Sequence, residues 1–354
     1  MKLLLLADSS KYYIARWIDY FYARGHELEL ISSVRIDSEK IKLHKLSDRP
    51  FARSGSAISF ALRNFYRVAR LVRRIQPDIV HAFNATTYGF LAAMSGKKPL
   101  ILTVTGGDIL TDLNRNFLYK FLIAFSLRQS RLVNSFSDHS TNALLRIRLH
   151  AKKLLITQHG IELDLYKPAE SAIPSQSVLC TGMDMDEADY LRLIMALPII
   201  LKEVRNLWLI ILATDEIKAK INEFLKILDI TNHVAFPELV NDSRLTIYYQ
   251  NSDIYINTSL SEEHPSHLLQ AMACGNFPVV SSTLAHRSWI EDGWNGLLID
   301  PANVEDIAKN MVLALQNDAL RKRAASVNAE KVKRLPHADN WLQELEYAYF
   351  DLCK

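Results

Sequence analysis

The sequence predicts an α/β protein made of two doubly wound, Rossmann-like domains that face each other across a cleft. Buried strands and amphipathic helices alternate along almost all of the 354 residues. The strands are rich in leucine and β-branched residues without polar alternation, which is typical of parallel strands covered by helices on both faces. The length suits two domains of about 150 residues each, and a hydrophobic content of 49% can fill two cores.

The first domain is predicted over residues 1–166. Its strands are KLLLLA, ELELISS, DIVHAF, PLILTV, RLVNSF and KLLITQHG, and its helices are YYIARWIDYFYARG, ALRNFYRVARLVRRIQ, TTYGFLAAMSG and LYKFLIAFSLRQ. Gly25 ends the first helix and Pro77 follows the second, as helix ends require. Residues 35–54 are polar and basic, and 161–177 combine prolines and serines without apolar periodicity, which indicates a linker.

The same alternation restarts after the linker and predicts a second domain over 173–335. Its strands are VLCTG, LWLIILA, HVAFP, DIYINTS, FPVVSS and GLLID, with helices between them. A last helix, about 338–354, is expected to pack back on the first domain. Doubly wound sheets bind ligands at the carboxyl ends of their strands, so the cleft between the domains is the expected site.

Charge is distributed unevenly between the two halves. Residues 1–166 contain 25 Lys and Arg against 13 Asp and Glu, a net charge of +12, whereas 167–354 contain 17 against 26, a net charge of −9. This asymmetry has two interpretations: the basic first half binds a polyanion, or the two halves have solvated surfaces of opposite charge. No nucleic-acid recognition motif accompanies the basic half, so we expect no nucleic-acid partner.

The sequence predicts a cytoplasmic protein. No apolar run approaches the roughly 18 residues of a membrane span, and MKLLLLADSS is a first strand and not a signal peptide. Three cysteines, an odd number in apolar surroundings, indicate a reducing compartment.

One predicted helix, ALRNFYRVARLVRRIQ, carries a cluster of arginines with Phe65, Tyr66 and Leu71 among them. The arginines are Arg63, Arg67, Arg70, Arg73 and Arg74. Their spacing gives a basic face with an apolar flank, which favours peripheral contact with anionic lipid at the inner membrane face. The alternative is a solvated basic helix lying over its own core.

The stretch SEEHPSHLLQAMACGNFPVV predicts a loop, a buried helix and a buried strand. Leu268, Leu269 and Met272 fall at helical spacing, and Gly275 ends the run. A helix N-terminus attracts anions, because its N–H groups are free and its dipole is positive there. The glutamates directly before this helix either cap it or belong to a ligand site.

Five segments resemble the family 4 (group 1) retaining glycosyltransferases, whose architecture is GT-B. They are IARWIDYFYARGHELELIS, PDIVHAF, HGIELDLYKP, SEEHPSHLLQAMACGNFPVVSS and EDGWNGLLIDP, in the family's order. The resemblance covers nearly the whole chain. It implies a hexosyltransferase that moves a sugar from a UDP- or GDP-linked donor to a glycan or lipid-linked acceptor, with retention, in surface polysaccharide or glycolipid synthesis. It implies no further cofactor and no metal.

The family's donor motif, two glutamates separated by seven residues, falls on Glu262 and Gln270. The resemblance implies that Glu262 is catalytic and accepts hydrogen bonds from the donor sugar. Gln270 keeps one acceptor oxygen but cannot hold two ribose hydroxyls as a carboxylate does. Backbone N–H groups that would face the diphosphate belong to His264, Ser266, His267 and Leu268. Glu263 is expected to be a surface charge.

The loop after the second domain's first strand departs from the family pattern. Met183 and Ala188 stand where members usually place Arg and Lys, and the loop GMDMDEADY is acidic. Two missing charge-assisted contacts would weaken diphosphate binding by about 1.5–3 kcal/mol each. The alternative function is therefore a catalytically impaired homologue that acts as a glycan- or partner-binding scaffold. Gly182 is expected to let the backbone approach the nucleotide.

The same loop contains a D-x-D triplet, Asp184–Met185–Asp186, the pattern that binds a divalent cation in the GT-A architecture. Because the surrounding fold differs, we expect a solvated acidic loop and no metal.

In the first domain, PLILTVTGGDIL places Gly106, Gly107 and Asp108 at the carboxyl end of a strand. The glycines allow backbone N–H groups to approach the donor closely. Many family members carry His where Thr105 stands, so Asp108 is the remaining polar candidate for a catalytic group; the alternative is an N-cap. Lys11, in the glycine-free loop ADSSKYY, is expected to face the cleft and supply positive charge to the donor.

Overall fold

The computed structural model divides the chain into two compact units, Met1–His159 with Asp339–Lys354, and Gly160–Ala338. The boundary falls before Gly160, and not after Tyr166, because Ile161 and Tyr166 pack in a core of the second unit. The structure describes all residues except 37, 47–56, 111, 115, 148–152, 158–159, 170–175, 182–184, 238–241 and 261–264.

The described part of the first unit contains one sheet of seven parallel strands. They are β1 (Lys2–Leu6), β2 (Glu27–Ser32), β3 (Lys42–Lys45), β4 (Ile79–Phe83), β5 (Leu100–Thr103), β6 (Leu132–Ser135) and β7 (Leu154–Ile156). Their order is β3-β2-β1-β4-β5-β6-β7, so the winding reverses between β1 and β4. Ligands of doubly wound sheets bind at the carboxyl ends of the strands beside such a reversal.

The edge strand β3 was not predicted, because KLHK carries no apolar pattern. It pairs with β2 in parallel, and His44 lies 2.5 Å from the Glu29 carboxylate of that strand. An edge strand exposed on one side tolerates such polar residues.

Helices cover both faces of the first sheet. They are α1 (Tyr12–Ala23), α2 (Ala57–Ile75), α3 (Tyr88–Met94), α4 (Gly107–Leu110), α5 (Phe117–Gln129) and α6 (Asp138–Arg146). Residues of α2, α3 and α5 share one core, and residues of α1 share a second core with the C-terminal segment of the chain.

The second unit repeats this architecture. Its described strands are β8 (Ser177–Thr181), β9 (Trp208–Leu212), β10 (Val234–Ala235), β11 (Ile254–Asn257), β12 (Phe277–Ser281) and β13 (Leu297–Ile299), in the order β10-β9-β8-β11-β12-β13. The helices are α7 (Glu187–Glu203), α8 (Asp215–Ile227), α9 (Asp242–Gln250), α10 (Ser266–Cys274), α11 (Leu284–Arg287), α12 (Val304–Gln316) and α13 (Asp318–Val332). The winding reverses between β8 and β11. The predicted fold class, two doubly wound parallel sheets, is confirmed.

The C-terminal helix α14 (Asn340–Cys353) belongs to the first unit. Trp17 Nε1 donates to the Tyr349 hydroxyl at 3.0 Å, and the buried Glu346 carboxylate lies 2.8 Å from Arg24 and 3.0 Å from His26. Tyr349 also contacts His81 of β4, whose pKa is lowered to about 3 by burial, so that this histidine stays neutral. In the ranges that the structure describes, no helix is long and apolar enough to cross a membrane.

Candidate active site

The first turn of α10 lies at the carboxyl edge of the second sheet, because α10 connects β11 to β12. The helix starts after Pro265, whose carbonyl accepts from Leu269 N at 2.9 Å. Leu268 is fully buried, so it offers the edge its backbone and not its side chain. At the other end Gly275 adopts a φ of +90°, the left-handed conformation that lets the helix stop and β12 begin.

Two half-buried polar side chains of α10, His267 and Gln270, meet a single hydroxyl from α9. The Tyr249 hydroxyl lies 2.9 Å from His267 Nδ1 and donates to Gln270 Oε1 at 3.1 Å. Tyr249 itself is fully buried. The sequence predicts the two α10 residues as site residues but not the tyrosine, since no spacing links it to them.

The acidic residues at the start of α7 have structural roles. The Asp186 side chain accepts from Asp189 N at 2.9 Å, and the Asp189 side chain accepts from Asp186 N at 2.9 Å, which is a reciprocal capping arrangement. Asp189 also pairs with Arg192. Ala188 is exposed in the first turn, so a longer side chain there would reach solvent.

Three predicted site residues, Gly182, Glu262 and His264, lie outside the described residues, as does Met183. Their roles stay predictions from the sequence. Within the ranges described, no group of three or more His, Cys, Asp or Glu side chains could hold a metal ion.

At the carboxyl edge of the first sheet, Asp108 holds two loops together from inside the unit. Its side chain is 1% exposed, and its oxygens accept from Ala85 N at 2.5 Å and from Thr105 N at 3.1 Å. Burial raises the pKa of Asp108 to about 6. In this geometry Asp108 positions the loops after β4 and β5, which fits the contacts better than the substrate contact predicted from the sequence. Asp108 is also not the N-cap that the sequence offered as the alternative, because it lies inside α4.

Asn84 also joins the loops after β4 and β5, and the sequence alone does not indicate it as a site residue. Its Oδ1 accepts from the backbone N–H groups of Thr86 and Thr87, each at 3.1 Å, and its Nδ2 donates to Thr105 Oγ1 at 3.2 Å. Its φ of +71° is one that asparagine adopts more readily than most residues. Such a turn residue is visible only once the strand ends are known.

The predicted glycines and Lys11 also lie at the carboxyl edge of the first sheet. Gly106 follows β5 with a φ of +91°, which requires glycine, and Gly107 begins α4. Lys11 is half-buried at the start of α1, after β1. These residues belong to the first unit, whereas Ser266, His267, Leu268 and Gln270 belong to the second.

Comparison with known proteins identifies the family. Residues 2–137 match the family described as glycosyl transferase 4-like, and residues 175–331 match the glycosyl transferases group 1. The chain belongs to the family 4 (group 1) glycosyltransferases. This confirms the resemblance found in the sequence and makes the protein a transferase.

Relatives and solved structures agree with this assignment. The glycosyltransferase is 24% identical over 309 residues to N,N'-diacetylbacillosaminyl-diphospho-undecaprenol alpha-1,3-N-acetylgalactosaminyltransferase of Campylobacter jejuni, covering 79% of each chain. It is 33% identical over 107 residues to phosphatidyl-myo-inositol mannosyltransferase of Mycobacterium leprae, covering 30% of this chain and 28% of that one.

The fold is shared with HepE of Anabaena in complex with UDP and glucose, with a TM-score of 0.74, 17% identity, and coverage of 98% of this chain and 99% of that one. It is also shared with sucrose-phosphate synthase of Thermosynechococcus elongatus, with a TM-score of 0.73, 14% identity and 99% coverage of both chains. The predicted GT-B fold is confirmed.

The buried Asp108 gives the glycosyltransferase a measurable pH dependence of stability. Its folded pKa of about 6 lies above the ordinary value of 3.8, so the folded state binds the proton more tightly and loses stability as the pH rises between these values. Relative to Asp108→Asn, we expect the wild-type free energy of unfolding to fall by about 2–3 kcal/mol from pH 4 to pH 7. Denaturant unfolding at several pH values measures this difference, in which all other titrating groups cancel. Parallel curves for the two proteins would contradict it.

Proposed function

We propose that this glycosyltransferase transfers a sugar from a UDP- or GDP-linked donor to a lipid-linked or glycan acceptor, with retention at the anomeric carbon. The observation that carries the proposal is the first turn of α10 at the carboxyl edge of the second sheet, within the segment that matches the group 1 family. The names of the Campylobacter and Mycobacterium relatives, which specify diphospho-undecaprenol and phosphatidyl-myo-inositol, support a lipid-linked acceptor.

On the donor side, the proposed chemistry is electrostatic. Backbone N–H groups at the start of α10 would stabilise the negative charge that develops on the leaving diphosphate, because a helix N-terminus is positive and its donors are already oriented. Glu262 would hold the sugar hydroxyls beside it. In this arrangement the Glu262 carboxylate would bind the sugar, and the N-terminus of α10 would bind the diphosphate of the same donor.

A thermal-shift screen against uridine, guanosine and adenosine diphosphates and their sugars tests this proposal. A nucleotide present at 100 times its Kd should stabilise the folded protein by about 2.7 kcal/mol, so one base class should raise the melting temperature and the others should not. If no nucleotide raises it and a glycan does, the scaffold alternative replaces the proposed activity.

We further propose that the first unit contacts an anionic membrane through α2. The exposed face of α2 carries five arginines together with Leu62 and Tyr66, which are 70% and 79% exposed. The arginines are Arg63, Arg67, Arg70, Arg73 and Arg74. The opposite face of α2 supplies Phe60, Val68 and Val72 to the core. The exposed residues are therefore not needed to fill that core.

A second exposed apolar group supports the same surface. Phe117 and Phe121, at the start of α5, are 83% and 52% exposed, and α3 packs against both α2 and α5 on this face of the sheet. Leu62 and Tyr66 lie in the first half of α2 and the two phenylalanines in the first turns of α5, whereas the arginines extend to the last turn of α2, so the exposed apolar and basic residues run along the length of α2. A lipid surface there would meet cationic and apolar side chains together.

Arg67→Ala combined with Arg70→Ala should weaken binding to anionic liposomes by about 2 kcal/mol, or roughly thirtyfold, at about 1 kcal/mol per basic residue. Liposome co-sedimentation at low salt measures the effect. The matched control is Lys202→Ala with Lys309→Ala, which removes the same charge from exposed helix positions of the second unit. Equal losses in both pairs, or no preference of the wild type for anionic lipid, would overturn the assignment to α2.

A further inference from the structure

A row of cations lines the amino edge of the first sheet, where the strands β5, β6 and β7 begin. These three strands are neighbours in the sheet, and neighbouring strands lie about 4.8 Å apart. The row, called here the amino-edge cation row, consists of Lys97 and Lys98 before β5, Arg128 and Arg131 before β6, and Lys153 before β7.

Two members of the row are held at the C-terminal end of α5. Lys98 Nζ donates to Gln129 Oε1 at 3.1 Å and also to the Gln129 carbonyl. Lys153 Nζ donates to the next carbonyl, that of Ser130, at 3.4 Å. Partial desolvation lowers the pKa of Lys98, and repulsion by Lys153 lowers it further. The fold therefore keeps two ammonium groups close together although they repel each other.

The row has no carboxylate to balance its charge among the residues that the structure describes. Within those residues none of the five cations forms an ion pair, and the side chains of Lys97, Arg128 and Arg131 make no hydrogen bond. The next strand in the sheet, β4, is preceded by Asp78, whose carboxylate accepts from Lys2 N at 2.7 Å. The negative end of α5 offsets only about half an elementary charge, so the row keeps a large positive excess.

Such a surface fits a hydrated, linear polyanion, because cations at successive strand starts add to one positive potential. A lipid surface buries apolar side chains beside the cations. The most exposed apolar side chains of this unit, Leu62, Tyr66 and Phe117, lie instead in the first half of α2 and the first turn of α5. Single-stranded nucleic acid uses aromatic side chains on which bases stack, and 95–100, 128–133 and 153–157 contain none.

We propose that the amino-edge cation row is a binding surface for an anionic glycan, a polymer whose carboxylate, phosphate or sulfate groups recur along the chain. A glycosyltransferase handles sugars, which favours this polyanion over an acidic protein. The row lies at the opposite edge of the sheet from the loops after β4 and β5, so it is a second site and does not depend on the donor. It also gives a location to the excess positive charge of 1–166.

Binding of polygalacturonate, a linear glycan with one carboxylate per sugar, tests the proposal by calorimetry at low salt, with neutral dextran as the reference polymer. We expect Lys97→Ala combined with Arg131→Ala to weaken binding about thirtyfold, roughly fivefold for each contact between unit charges in water. Higher salt should reduce this loss, because the contacts are exposed. Neither side chain contacts another described group through a hydrogen bond or ion pair, so the fold should be kept.

The matched control is Arg67→Ala with Arg70→Ala, which removes the same charge from α2 of the same unit. Its binding of polygalacturonate should stay within about threefold of the wild type. Equal losses in the two pairs would mean that the overall charge of the unit, and not the row, attracts the glycan. Failure of the wild type to bind polygalacturonate more tightly than neutral dextran would overturn the proposal.

A lysine-modification experiment locates the bound polymer without any variant. With polygalacturonate present, reductive methylation of Lys97 and Lys98 should slow severalfold, whereas Lys202 and Lys309, exposed on the second unit, should react at unchanged rates. Uniform protection of all four lysines, or protection of the second pair alone, would overturn the location.

Polyglutamate and single-stranded DNA with the same number of charges separate the glycan from other polyanions. Polygalacturonate should bind most tightly, because its hydroxyl groups can also accept hydrogen bonds from the guanidinium groups of Arg128 and Arg131. Tighter binding of either other polymer, weakened equally by the Lys97 and Arg131 substitutions, would assign the row to that polymer and overturn the glycan assignment. Failure of the wild type to bind any nucleotide would refute the proposed function and leave this inference standing, since no donor enters these measurements.

Discussion

Glu262→Ala is expected to lower sugar transfer by at least about a hundredfold while the melting temperature stays within about one degree of the wild type. Removing one group that stabilises a transition state typically costs a factor of about 10²–10³ in rate. The glutamate precedes Pro265 and the start of α10, where the resemblance places the donor sugar beside the diphosphate. Transfer from the donor selected by the thermal-shift screen, followed by release of the nucleoside diphosphate, measures the effect.

Glu263→Ala is the matched control, because it removes the same charge from the next residue. If Glu262 only caps the helix, the variant should lose about 1 kcal/mol of stability and little activity. Full activity in Glu262→Ala, or equal losses in both variants, would remove Glu262 from the donor site.

The sequence predicts the buried strands well because a parallel sheet covered on both faces needs nearly continuous apolar runs. Ile79 to Phe83 and Ile254 to Asn257 are examples, each buried throughout. The edge strand β3 was missed because exposure on one side removes that constraint, and KLHK is half-exposed.

The site is less predictable because the partners of its polar side chains come from distant segments. Asp108 has the residue type and strand-end position of a catalytic group, yet its partners are Ala85 N and Thr105 N. Gln270 looked like a weakened acceptor in sequence, and only the position of Tyr249 shows that its oxygen is already engaged. The family resemblance locates such residues, but their hydrogen-bond partners depend on packing.

The acidic residues at the start of α7 are another example of polar side chains whose partners the sequence does not reveal. They also bear on diphosphate binding. Asp186 and Asp189 cap the helix, so these two carboxylates are explained by the fold. Ala188, between them, is exposed and takes no part in the cap. The position is therefore open to the cation that the family usually carries there.

Met183→Arg combined with Ala188→Lys is expected to tighten nucleoside diphosphate binding by at least tenfold. Each restored cation–phosphate contact should contribute about 1.5–3 kcal/mol, and a cation in the first turn of α7 should cost about 0.3–1 kcal/mol against the helix dipole. Calorimetric titration with the diphosphate of the selected base measures the change. The control is Met195→Arg with Leu313→Lys, which adds the same charges at exposed positions of α7 and α12.

An equal gain in the control would mean that net charge, and not the position of the loop, causes the tightening. Unchanged binding in a wild type that transfers sugar efficiently would show that the loop does not face the diphosphate, or that Lys11 or Arg287 already neutralises it. The alignment of Met183 and Ala188 with the family's basic pair would then be wrong. If neither protein binds any nucleotide, the missing cations are not the cause, and the scaffold alternative accounts for the chain better than the transferase proposal.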